Sequence, residues 1–239
     1  MLVDPNVDRA LERIAERERD VQHAYTPGAF AVRDDAAARP SVRAELDPLA
    51  AAAPDGAFFV TTDDRGRTAY TRDGACTLRD GMLVGVAGSP MLGFVSAHGG
   101  TRELRVDPVD LALGRIEHPR IEANGAFAYD RLVVDPRTGT TERERVEVGR
   151  LALARFPAGT AFAAASDARV AAPDGVLPHV GRARDGTFGA LAPMHRATSG
   201  IAIDRGLDRL HDAYLAFDAM IAARTARDGA SKTTLGLVK

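Results

Sequence analysis

The sequence predicts a mixed fold: an antiparallel β-rich central domain flanked by N- and C-terminal α-helices that form a coiled-coil layer. Three observations predict it. Apolar residues near both ends recur at alternating steps of three and four, the middle breaks into short apolar runs, and Asp-Gly or Asn-Gly pairs separate those runs. At 239 residues the chain can fill one substantial core and carry extra helices around it.

Residues 1–33 read as a coiled-coil helix and a turn. Asp4 followed by Pro5 is a helix start: a capping side chain, then a residue whose missing N–H costs nothing in the first turn. Val7, Leu11, Ile14, Val21 and Tyr25 then form a heptad stripe in which Glu18 occupies one seam position. Thr26-Pro27-Gly28 supplies the stop. Residues 34–55, rich in Ala, Asp, Arg and Pro, read as an extended or partly helical connector.

Residues 56–192 read as the β-rich domain. Strands are predicted over 58–62, 68–72, 75–78, 82–86, 127–134 and 146–156. The punctuation is Asp73-Gly74, Asp80-Gly81, Asn124-Gly125, Asp174-Gly175 and Asp185-Gly186, which marks hairpins and leaves no room for long helices. Residues 193–239 read as the second coiled-coil helix and a tail. Ile203, Leu207, Leu210, Tyr214, Phe217 and Ile221 follow steps of four, three, four, three and four, a narrow stripe suited to a helix seam. Gly229 is the expected stop, with a mobile tail from Ser231 to Lys239.

Composition argues against several classes. A net charge of -2, from 31 basic and 33 acidic residues, gives no electrostatic case for nucleic acid or an anionic membrane. Aromatics are 5% and Trp is absent, so a base-stacking platform is not expected. The single Cys76 cannot form an intrachain disulfide or a multi-cysteine metal knot. No apolar run reaches the roughly 20 residues that span a bilayer. The first residues lack a basic stretch before an apolar core, so any export is expected to use an uncleaved address.

The chemistry-bearing residues read plainly. His23, His98, His118, His179, His195 and His211 show no helical His pairing of the metalloprotease kind. Cys76 is expected to be a buried small side chain, with no motif nearby to lower its pKa. Ser89 lacks the glycine spacing of a nucleophile elbow, and no Gly-Lys pair exists to make a phosphate loop of residues 81–100. Asp63-Asp64-Arg65-Gly66 lacks the spaced acidic ligands of a calcium loop and reads as a hairpin turn. No catalytic residue, metal or cofactor is expected.

Five blocks, in order, resemble one family. Gly56-Ala57-Phe58-Phe59-Val60 and Tyr70-Thr71-Arg72-Asp73-Gly74 are similar to the hairpin block of bacterial flagellar rod and hook proteins, "G-x-G-F-F-x-V" leading into "A-Y-T-R-D-G". Gly88-Ser89-Pro90-Met91-Leu92-Gly93 resembles that family's "G-Y-P-L-L-G". Val148-Gly149-Arg150-Leu151-Ala152-Leu153 resembles its "V-G-x-L-x-L" strand, and Thr26-Pro27-Gly28 its turn after the first helix. Residues 17–24 are charged where the family has an Asn-rich stretch.

The resemblance implies a non-enzymatic structural subunit of the flagellar basal-body rod, a diverged member of the family. It would polymerise through its terminal helices to transmit torque. Its partners would be further copies of itself, other rod and hook-family subunits, and the flagellar type III export apparatus. It would lie in the periplasm-spanning rod, without nucleic acid and without membrane insertion. Two other classes are compatible with the residues alone: a β-domain binding module that does not assemble into the flagellum, and a hydrolase with dispersed catalytic groups. The helices could also simply pack on the β domain as intramolecular core.

Overall fold

Both ends of the chain are helical and the stretch between them is β-rich. The computed structural model describes residues 5–25, 42–96, 99–134, 137, 139–160, 162–166, 169–199 and 203–236. It divides into a helical unit, Met1–Ala24 with Ile201–Lys239, and a β unit, Tyr25–Gly200.

In the helical unit, α1 (Pro5–Gln22) begins at its proline, with Asp8 in the first turn and Arg19 in the last, both complementing the helix dipole. The expected cap Asp4 and the stop at residues 26–28 lie outside the described residues. α3 (Ile203–Gly236) has 34 residues and runs about 50 Å. It continues through Gly229, so the expected stop there is not made and 231–236 are helical rather than a loose tail. One glycine costs about 1 kcal/mol in a helix, too little to end one flanked by good helix formers. α1 and α3 pack on one another. Glu18 near the end of α1 meets Tyr214 in the first half of α3, while Asn6 and Met220 line one cleft, so the pair is antiparallel.

The β unit runs β1 (Val42–Ala44), β2 (Ala51–Ala52), β3 (Phe58–Thr62), β4 (Thr68–Thr71), β5 (Thr77–Arg79), β6 (Met82–Val84), β7 (Leu92–Phe94) and β8 (Thr101–Glu103). After a short helix, α2 (Pro108–Ala112), come β9 (Ile116–Ile121), β10 (Ala126–Val134), β11 (Thr141–Arg155), β12 (Ala163–Ser166), β13 (Arg169–Ala171), β14 (His179–Arg182), β15 (Ala192–Pro193) and β16 (His195–Ala197). The main sheet is antiparallel in the order β12-β13-β4-β3-β11-β10-β9, with β14 and β7 also on β11 and β8 on β7. Separate two-stranded ladders join β1 to β16, β2 to β15, and β5 to β6.

Side-chain alternation explains how this sheet is covered on both faces. Phe59, Leu151 and Leu153 join Leu83, Met91, Leu104, Phe127 and Tyr129 in one core. Phe58, Ala152 and Ala154 turn to a second core with Val60, Tyr70, Phe162 and Val170. Phe58-Phe59 and Leu151-Ala152-Leu153-Ala154 are continuous apolar runs for that reason. Turn chemistry fixes the hairpins. Asp80 and Gly81 both have positive φ between β5 and β6, and Asn124 accepts from Ala126 N–H beside Gly125 at φ 83°.

Four features depart from the sequence expectation. β11 starts at Thr141, because its charged outer half, Glu142 to Arg145, is held by cross-strand pairs such as Arg143–Glu117 at 2.9 Å and Arg145–Glu122 at 2.8 Å. α2 interrupts the β pattern, capped by Asp107, whose carboxylate accepts from Val109 N–H, with Pro108 in the first turn. Asp73-Gly74 does not turn a hairpin and instead forms an extended, buried corner after β4. The connector and the region after residue 192 are not free of β structure: β1 and β2 pair with β16 and β15.

Candidate functional site

Two places gather the residues singled out by sequence: the face of the helical unit and the Tyr70-Thr71-Arg72-Asp73-Gly74 corner of the β unit.

On the helices, Ile14 is buried, and Val7, Val21, Leu210 and Phe217 are half-buried. Leu11 and Leu207 remain 48% exposed, Tyr214 42% and Ile221 38%. Ile203 opens α3. The heptad stripe is therefore only partly covered within one chain. Leu215, off the stripe, is 54% exposed. Glu18, an interruption by sequence, is a partner here: its carboxylate accepts from the Tyr214 hydroxyl at 2.5 Å and holds that phenol's pKa above its ordinary value. Asp20 is buried and meets Arg17 at 3.1 Å, one turn away. Beside them lies a cleft of 410 Å³ with Arg9 and Arg13 on α1 and Ala213, Ala216 and Met220 on α3.

In the β unit, the family-like motif is almost wholly internal. Phe59 sits in the larger core, whereas Phe58 and Tyr70 belong to an aromatic cluster with Phe156 and Phe162. Tyr70 meets Phe156 edge-on at 4.8 Å, and Phe58 meets it likewise at 5.6 Å. The Arg72 guanidinium lies 4.6 Å over the Phe58 ring and donates to Gly56 O at 3.2 Å. Burial pulls its pKa down to about 10. Thr71 Oγ1 accepts from Asp73 N–H at 3.0 Å, and Asp73 Oδ1 accepts from Ala75 N–H at 3.1 Å. Asp73 in turn receives a bidentate grip from Arg196, Nε to Oδ1 and Nη2 to Oδ2, both 2.8 Å. That grip raises the Arg196 pKa above its ordinary value. Gly74 O accepts from Ala51 N–H at 3.0 Å, tying the corner to β2.

Sequence reasoning missed Arg196 because it stands 123 positions from Asp73, and no local pattern links them. Glu18 could have been found: a carboxylate in an apolar seam calls for a donor, and Tyr214 is the one polar hydroxyl in the opposite stripe.

The other candidate groups have structural surroundings. Cys76 is buried, and burial, reinforced by Asp73 and Asp47, pushes its thiol pKa up. Ser89 Oγ accepts from the buried Arg169, which also bridges to Asp64 at 3.1 Å. Asp63 is occupied by the N–H groups of Arg65 and Arg67 and by the Arg67 side chain, which hold its carboxyl below the ordinary range. His118 faces Asp130, His179 stacks on Phe188, and the His195 ring meets Pro193 O, three separate settings. His98 lies outside the described residues. Among the described residues no group of three or more His, Cys, Asp or Glu is placed to hold a metal ion. Nor is any described helix long and apolar enough to cross a membrane. The chain matches no protein-family model, and no curated protein is significantly similar to it.

Proposed function

We propose that this chain is a structural subunit of the bacterial flagellar basal-body rod, with no catalytic chemistry, whose terminal helices polymerise it into a torque-bearing tube. The carrying observation is the helical unit. Its two helices, drawn from opposite ends of the chain, pack together and still leave Leu11, Leu207, Leu215 and Ile221 between 38% and 54% exposed. Covering the remainder of those four side chains would contribute roughly 1 kcal/mol each, about 4 kcal/mol per subunit. Neighbouring copies laying their helices alongside would form a coiled-coil layer, with the Arg9 and Arg13 cleft taking acidic residues of a neighbour's helix. The β units would stand outside that layer and stiffen it by contact. The five sequence blocks that resemble rod and hook proteins support the same reading, and with it export through the flagellar type III apparatus to a periplasm-spanning position.

The test is mass spectrometry of purified hook–basal bodies from the source organism, counting this chain against rod components. A handful of copies per basal body is expected. Absence from basal bodies together with abundance in the soluble fraction would overturn the assignment and favour a binding module.

A further inference from the structure

Two same-sign charge pairs stand on different faces of the helical unit. Arg9 and Arg13, one turn apart on α1, line the 410 Å³ cleft together with Ala10, Ala213, Ala216 and Met220. Both arginines are exposed, and among the described residues neither guanidinium has an ion pair or a hydrogen bond. The second pair is Asp208 and Asp212 on α3, likewise exposed and likewise without a partner among the described residues. Four residues separate the members of each pair, so each spans about 6 Å along its helix. Like charges at this spacing destabilise a helix until an opposite charge comes to them.

The acidic pair belongs to a surface turned away from α1. At about 3.6 residues per turn, Asp208, Asp212 and Leu215 share one stripe of α3. That stripe lies opposite Leu210, Ala213 and Phe217, the half-buried residues on the side where α1 packs. Leu215 follows Asp212 by one turn and is 54% exposed.

We propose that the Arg9–Arg13 cleft is the docking site for the Asp208–Asp212–Leu215 stripe of a second copy of this chain. It rests on the rod reading for the assembly it serves, and it names the segment that fills the cleft. Each guanidinium takes one carboxylate, a charge-assisted pairing that suits the planar fork of arginine. Two pairs at matched spacing also fix the register, because a slip of one turn leaves a charge of each sign unmet. Leu215 then covers the alanine and methionine lining, which offers it apolar contact and no polar group to desolvate. Cleft and stripe are different faces, so the contact is head-to-tail. A bound pair keeps an open cleft at one end and an open stripe at the other, and growth continues.

The test is sedimentation velocity and native mass spectrometry on the full chain across a range of concentrations. Wild type should pass from monomer to dimers and longer chains, and salt at about 0.5 M should weaken that association. The doubly neutralised cleft, Arg9→Gln with Arg13→Gln, should associate about 25-fold more weakly, about fivefold for each lost pair. The doubly neutralised stripe, Asp208→Asn with Asp212→Asn, should lose the same. Mixing the two variants restores one contact only, since the intact cleft of one meets the intact stripe of the other. A one-to-one heterodimer that grows no further is therefore expected. Circular dichroism at 222 nm should match wild type in both variants, so that lost association reports the contact and not the helix pair. A wild type that stays monomeric, either variant associating like wild type, or a mixture without heterodimer would overturn the proposal. Basal bodies that take up the cleft variant at wild-type copy number would also overturn it and leave the rod assignment standing. Head-to-tail association through this contact, in a chain absent from basal bodies, would overturn the rod assignment and leave the contact standing.

Discussion

Replacing Gly74 by alanine puts a methyl group where the β unit has no room. An added Cβ would lie 1.8 Å from Ala51 O, 2.9 Å from Ala51 C and 2.7 Å from Phe59 Cε2. Ordinary contact begins at 3.4 Å, so β2 and the corner would have to part by more than 1 Å. Both neighbours are fully buried, and Ala51 cannot retreat without breaking its hydrogen bond to Gly74 O. Overpacking of this kind costs about 1–3 kcal/mol and the lost hydrogen bond about 1 more, giving roughly 2–4 kcal/mol. Gly74 lies outside the left-handed region, so backbone strain adds nothing. Urea unfolding followed by far-ultraviolet circular dichroism near 218 nm reads the β unit. With a denaturant slope of about 2 kcal/mol/M the midpoint should drop by roughly 1–2 M. Gly85→Ala is the matched control, because its Cβ meets the flexible Met91 Sδ at 2.7 Å, and Gly100→Ala meets nothing within 4 Å. A Gly74→Ala midpoint no lower than that of Gly85→Ala would refute the packing account of this corner.

Four further outcomes are expected. Phe217→Asp places a charge on the partly covered face of α3 and should abolish assembly into basal bodies while the β signal at 218 nm stays intact; normal incorporation would count against the seam. Ile14→Ala should cost the helix pair about 2–4 kcal/mol and lower the 222 nm midpoint, with little effect on the β unit. Cys76 should resist thiol reagents in the native protein and react at the unfolding rate; rapid labelling would contradict its burial. Glu122 and Asp130 are held below their ordinary pKa values of 4.5 and 3.8, chiefly by hydrogen bonds from Arg145 and Arg120 respectively. Their contribution is complete above those values and lost as pH falls through the lower folded ones. Exchange in β9 and in the outer half of β11 should therefore rise in strong acid before exchange in the core does.

The parts of this fold legible from sequence are those whose physics is local. Asp80-Gly81 and Asn124-Gly125 specify turns by themselves, and the runs at Phe58 and Leu151 announce strands whichever face they bury. The helix at α2 was not expected, although Asp107-Pro108 repeats the start signal of Asp4-Pro5. What was not legible depends on distant partners. Thr141 to Arg145 looks like loop until Glu117 and Glu122 are brought beside it. The connector gains β1 and β2 only because residues 192–197 return to meet them. Asp73-Gly74 reads as a turn because that pair usually is one, yet burial against Ala51 and the grip of Arg196 make it a corner. The seam positions were named by spacing, and spacing alone could not say that Glu18 would serve Tyr214.

The distribution of burial separates stability from assembly. In the β unit Phe59, Leu151 and Leu153 are at 0% exposure on one face and Ala152 and Ala154 at 0% on the other, so its sheet has covered both faces from its own residues. In the helical unit, among the described side chains of the stripe, only Ile14 is buried. Large apolar side chains are exposed on the β unit too, with Leu46, Val109, Leu113, Val134 and Leu177 at 56% or more, beside Leu11, Leu207, Leu215 and Ile221 on α1 and α3. A neighbour settling on α1 and α3 gains free energy without disturbing the β unit. Substitutions in the two units should then divide by phenotype. Those at Phe59, Gly74 or Leu153 lower the unfolding midpoint and the amount of protein, whereas those at Leu11, Leu207 or Leu215 leave the monomer's β unit intact and weaken association. A helix-face variant that assembled normally, beside a β-core variant that folded normally but failed to assemble, would reverse this division and move the contact surface to the β unit.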